Sequence, residues 1–156
     1  MRLARSSSAF ERTRAVLAGA VAFGDNVGFV VDLPNRQSFS PDSAFHGGTL
    51  PADFDFDFIQ GAPVFAVEIR STHDYGLAAE ARMAAKRADY FAAGTLVVWD
   101  VDIEREGRVR VYRTADPLNP SEYRRSATAE AEPALPGWSM PVDDLFPPET
   151  WRLATD

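Results

Sequence analysis

The chain has 156 residues, of which 46% are hydrophobic and 25% charged, enough for a single domain over 1–156 with a full core. It has no cysteine, which excludes a disulfide framework and a thiolate zinc site, and no apolar run reaches the roughly 20 residues of a membrane span. A formal net charge of −7 argues against strong nonspecific duplex binding, which needs many phosphate contacts, but leaves room for a local basic patch.

Ser6, Ser7 and Ser8 with Glu11 supply capping chemistry for a first helix, expected from Ala9 to Ala22 and stopped by Gly24-Asp25-Asn26. This reading is preferred to a secretory leader, because the apolar part is short and broken by Gly19. The absence of cysteine fits a reducing cytoplasm, which is the expected location. Phe29–Leu33 reads as a strand, Pro34-Asn35-Arg36 as a turn, and Asp42–Phe45 as a short strand closed by His46-Gly47-Gly48. The alternation Asp53-Phe54-Asp55-Phe56-Asp57-Phe58 predicts an edge segment with its phenylalanines on a core face and its acids in water. Calcium binding by these acids is the weaker reading, since a calcium loop wants glycine and mixed oxygen ligands.

Val64–Ile69 is almost continuously apolar, the pattern of a strand covered on both faces. A helix is expected from Tyr75 to Ala93, ended by Gly94, and then a second buried strand at Leu96–Val101. A strand–helix–strand crossover makes these two strands parallel neighbours. Arg105-Glu106-Gly107 turns into an alternating strand at Val109–Tyr112. Thr114–Pro120 is expected to be a loop, Tyr123–Thr128 an edge strand, and 133–156 an extended proline-rich tail anchored by Trp138, Leu145 and Phe146. The fold class is α/β: a mixed central sheet flanked by helices, with antiparallel edge hairpins.

Glu68 is the anomaly in this pattern. A carboxylate in a buried strand is costly unless a cation, hydrogen-bond donors or a metal meets it. Asp42, opening another strand, is a second acid, and the two suggest a metal-dependent site. On the following helix, Ala79, Met83, Lys86 and Tyr90 form one stripe, and Leu77, Ala81, Ala84, Ala88 and Phe91 another. Lys86, the chain's lone lysine, has the reach to meet Glu68, although a snorkelling surface lysine is the blander reading. His73 follows the Glu68 strand, and as a turn residue beside a helix start it needs no site. Arg108, Arg110 and Arg113 fit a solvated strand face.

Pro41-Asp42, Val67-Glu68-Ile69-Arg70-Ser71, Lys86 followed by Tyr90, Ala93-Gly94, Val98-Trp99, and the ending Leu135-Pro136-Gly137-Trp138 with Asp144-Leu145-Phe146 occur in a recognisable order. From the first helix to Phe146 the chain resembles the Uma-type putative restriction endonucleases of the PD-(D/E)XK nuclease superfamily. The resemblance implies a restriction-endonuclease-like core and metal-dependent hydrolysis of phosphodiester bonds in DNA. It implies Asp42, Glu68 and Lys86 as catalytic residues. Mg²⁺ (or Mn²⁺) would be held by Asp42, Glu68 and the backbone carbonyl of Ile69, with no organic cofactor. Arg70 stands where the superfamily has lysine, and Lys86 matches the helix position that replaces it. Arg70, Glu11, His73 and Tyr90 are the accessory or phosphate-binding candidates. The resemblance also implies a homodimer. Val64 stands where the family commonly has an acid, and Phe10 or Glu11 where it tends to have histidine. These departures, with the acidic charge, leave a catalytically inactive dimeric binding module as the alternative.

Overall fold

Buried apolar strands set the frame of the computed structural model, which describes residues 20–147 apart from 25, 26, 49, 51, 53, 55 and 56. Along the chain these form β1 (Ala20–Phe23), β2 (Gly28–Leu33), β3 (Arg36–Phe39), β4 (Ser43–Gly47), β5 (Phe58–Gln60), β6 (Phe65–Ile69), α1 (Leu77–Ala92), β7 (Val97–Asp102), β8 (Arg108–Arg113), β9 (Asp116–Arg124), β10 (Thr128–Glu130) and β11 (Ser139–Pro141). A 3-10 turn follows at Val142–Leu145.

The main sheet has the order β1-β4-β6-β7-β8-β9. β6 and β7 pair in parallel across the α1 crossover, and the other neighbours in this sheet are antiparallel. The parallel centre is the expected one, because both strands are too apolar to face water on either side. All of β7 is buried.

Side chains of β6 and β7 alternate between two cores. Phe65, Val67, Val97, Trp99 and Val101 point to one face, where Leu135, Trp138, Met140, Val142 and Leu145 cover them. The indole of Trp138 lies 5.4 Å from that of Trp99 and 5.7 Å from the Phe65 ring. The described part of the proline-rich segment, 133–147, is thus a lid on the sheet, anchored as its aromatic and apolar residues predict, and its β11 pairs with β10, which lies just before it. Ala44, Ala66 and Val98 point to the other face. There they meet Tyr90 of α1 together with Phe29, Phe39 and Ile59 of a small sheet of order β3-β2-β5.

α1 begins two residues later than expected. It stops where Gly94, at φ +107, leaves the helical region. Of the two apolar stripes on this helix, the one carrying Lys86 faces inward: Ala79 and Tyr90 are buried and Met83 is half-buried. The other faces out, with Leu77, Ala81, Ala84 and Ala88 exposed.

Several expectations fail. Ala20–Ala22 is strand, paired with β4, although helix was expected through Ala22. Alanine and valine suit either state, and the partner strand decides. The rest of that helix, Glu11 included, lies outside the described residues. Phe58 does not face the core but is 61% exposed. Phe54 does pack inward, against Phe23, while Asp53, Asp55 and Phe56 are outside the described residues. The loop expected at Thr114–Pro120 is a turn followed by β9, the outer strand of the sheet on that side, where Pro117 and Pro120 are tolerated. β3, whose sequence Arg36-Gln37-Ser38-Phe39 carries no strand pattern, was not expected at all.

Candidate active site

Asp42 immediately precedes β4. The register Ser43↔Val67, continued by one and two residues, sets Asp42 opposite Glu68 and Pro41 opposite Ile69. Proline has no N–H, so it returns no hydrogen bond to the Ile69 carbonyl. The Ile69 N–H donates instead to the Asp42 carboxylate, at 2.7 Å to Oδ2. In an extended strand the N–H and C=O of one residue point the same way, so the Ile69 carbonyl is directed toward Asp42 as well. The Pro41-Asp42 pair therefore ends the β4–β6 ladder and puts a carboxylate where the next ladder bond would form.

Glu68 has its side chain on the α1 face of the sheet. Lys86 and Tyr90, one helical turn apart, reach the same oxygen. The Lys86 ammonium is 2.8 Å from Glu68 Oε1, and the Tyr90 hydroxyl donates to it over 2.6 Å. The second carboxylate oxygen, Oε2, takes no hydrogen bond from any described residue. Tyr90 is fully buried and its ring stacks on Phe39 at 4.0 Å and 14°. Burial pushes its phenol well above the usual 10, and the charges of Glu68 and Asp42 push it further. Tyr90 is thus a fixed neutral donor, and it senses both acids. Glu68, Lys86 and Tyr90 converge at one end of β6 and line one cleft, and Asp42 lies beside them on the Ile69 N–H without lining that cleft.

Of the remaining candidates, Arg70 lines the same cleft but is engaged by other residues, and His73 lies outside it. The Arg70 guanidinium is committed in full. It makes a bidentate pair with Asp100 at 2.8 and 2.7 Å, donates to Glu80 at 2.5 and 3.1 Å, and reaches the Asp74 carbonyl at 3.0 Å. The hydrogen bonds to Asp100 raise its already high pKa further, against the cost of burial. Arg70 joins β6, β7 and α1 and has no donor left for a phosphate. His73 is exposed in the turn before α1 and does not line the cleft.

The cleft over Glu68 has a volume of about 270 Å³, and Arg36, Met83, Lys86, Tyr90 and Asp100 are among its walls. Two of these residues were overlooked in the sequence. Asp100 is 5% exposed in a strand as apolar as that of Glu68, and the same anomaly would have flagged it. Arg36 sits after a turn in a segment without periodicity, and nothing local marks it.

Two carboxylates and a backbone carbonyl are hard oxygen donors, the set that Mg²⁺ prefers. The Oε2 of Glu68, which takes no hydrogen bond from a described residue, and the Ile69 carbonyl fit such an ion. Asp42, Glu68 and Ile69 are the residues that would hold it.

The fold is one already seen in a crystal structure, a putative nuclease belonging to DUF820 from Anabaena variabilis ATCC 29413. That structure superposes with a TM-score of 0.70 at 18% identity, covering 94% of this chain and 80% of that one. No curated protein matches the chain. The family model for Uma2, described as putative restriction endonuclease, matches residues 5–143. That span takes in both acids, the crossover helix and most of the lid, and by it the chain belongs to the Uma2 family.

Proposed function

We propose that this protein is a divalent-metal-dependent endonuclease that hydrolyses phosphodiester bonds in DNA. One observation carries the reading. Asp42, just before β4, and Glu68 of β6 stand across from each other where the ladder ends, Asp42 on the Ile69 N–H and Lys86 and Tyr90 on the Glu68 carboxylate. A bound Mg²⁺ or Mn²⁺ would polarise the scissile phosphate and acidify a water. Asp42 and Glu68 would hold that ion together with the Ile69 carbonyl. Lys86 stabilises negative charge as it develops and orients the attacking water. Tyr90 fixes the Glu68 carboxylate. Arg70 takes no part beyond holding the three elements together. A homodimer belongs to the same proposal, and the outward stripe of α1, with Leu77 93% exposed, is compatible with it.

A second reading, a binding module without catalysis, is favoured by the Lys86–Glu68 ion pair, which balances the charge of the acid with no metal. Cleavage of plasmid and single-stranded DNA separates the two. The expected result is nicking that needs Mg²⁺ or Mn²⁺ and is lost in Glu68→Gln. Metal should also raise the melting temperature of the wild type and leave that of Glu68→Gln unchanged. Equal activity in the variant, or none in the wild type with either metal, would overturn the nuclease reading.

A further inference from the structure

We propose that Arg36 is the substrate-phosphate contact of this site, reaching it from the small sheet rather than from the strand and helix that carry the acids. The inference rests on the nuclease reading above and adds a residue to it. The cations around the cleft differ in what they have left to give. Arg70 is saturated by Asp100 and Glu80. Arg87 lies 4.0 Å over the Tyr112 ring and 3.8 Å from Asp100. Arg82 is paired with Asp74 at 2.9 Å on the rim. The Lys86 ammonium is on Glu68.

Arg36 is different. Its Nε donates to Asp89 at 2.8 Å, while its two terminal nitrogens have no hydrogen bond to any described residue. Its side chain is 29% exposed and lines the same cleft as Glu68 and Lys86.

The guanidinium is also held in place. Asp89 fixes one edge of the fork, and the Phe39 ring lies below it at 5.1 Å. Phe39 stacks on Tyr90, and Tyr90 donates to Glu68. Arg36, Phe39, Tyr90 and Glu68 thus form one packed series from the free donors to the acid. A fork held at one edge with two open donors matches a phosphate oxygen pair and loses little freedom on binding. An anionic phosphodiester is the ligand that this cation, in the same cleft as Glu68 and Lys86, can draw into an otherwise acidic protein.

The test is steady-state cleavage of a labelled DNA duplex with Mn²⁺, read as KM and kcat separately over a range of salt. Arg36→Gln should raise KM about tenfold, the loss of one charge-assisted contact, with kcat nearly unchanged. Its salt dependence should fall by about one phosphate contact. Arg36→Lys should recover only part of the loss, because it restores the charge without the fork. Arg124→Gln, a distant surface change of equal charge, should leave KM alone. If Arg36 served only to pair Asp89, then Arg36→Gln and Asp89→Asn would lower the melting temperature alike and leave KM unmoved. A folded Arg36→Gln with wild-type KM overturns the inference while the nuclease reading stands. If Arg36→Gln does not fold, Arg36→Lys with wild-type KM and salt slope does the same. Wild-type protein that fails to cleave overturns both, and that failure is seen before any Arg36 variant is made.

Discussion

Tyr90 carries two interactions that pull on different parts of one side chain. Its ring is packed against Phe39, and its hydroxyl is aimed at a carboxylate that water only partly reaches. Tyr90→Phe keeps the first and deletes the second. The expected cost is about 1.5 kcal/mol of stability in urea unfolding, the scale of a hydrogen bond to a charged group. Because Lys86 still holds the same oxygen, cleavage by the variant should drop without vanishing. The wild-type phenol should stay protonated when the solution is taken above pH 10, and absorbance at the phenolate band is the readout.

The β6–α1–β7 unit is joined by one guanidinium. Arg70 is rooted at the end of β6, clamps Asp100 on β7 and holds Glu80 in the first turns of α1. Hydrogen bonds from Arg70, which outweigh the cost of burial, lower the Glu80 carboxyl below its ordinary 4.5. The folded value is below the unfolded one, so this contribution to stability is complete above pH 4.5. It is lost as pH falls through the lower folded value. Melting temperature measured from neutral pH down should therefore decline in that acid range, and Glu80→Gln should flatten part of the decline. α1 depends on this tie because its cap residue, Gly76, offers no side-chain bond at the N-terminus.

At the scale of the molecule, the two cores are divided by the main sheet, and the lid segment closes one of them. Trp138 is 5% exposed and touches rings from three strands. Trp138→Ala should cost about 3–5 kcal/mol, checked by denaturant unfolding, and the loss should fall on stability before it falls on the site, which lies across the sheet. The same division explains what could be read from the sequence. β6, α1 and β7 announce themselves because buried strands and a long helix leave strong patterns, and Glu68 stood out against such a background. Asp42 and Lys86 were legible through motif order. β1, β3 and β9 were not, because their state is decided by partners far along the chain rather than by their own residues. Arg36 was missed for the same reason: its importance comes from where β3 docks.

The two prolines of β9 have a consequence beyond the chain itself. An outermost strand normally offers a regular comb of amide hydrogens to any passing polypeptide. Here Pro117 and Pro120 bring no amide hydrogen to the strand, and its register with β8 shifts between Val111 and Arg113. A foreign strand laid along this margin would find no continuous set of donors, so growth of the sheet by accretion stalls there. Crowded preparations of the protein should therefore resist fibril formation from this side, and replacing both prolines with threonine would reopen it.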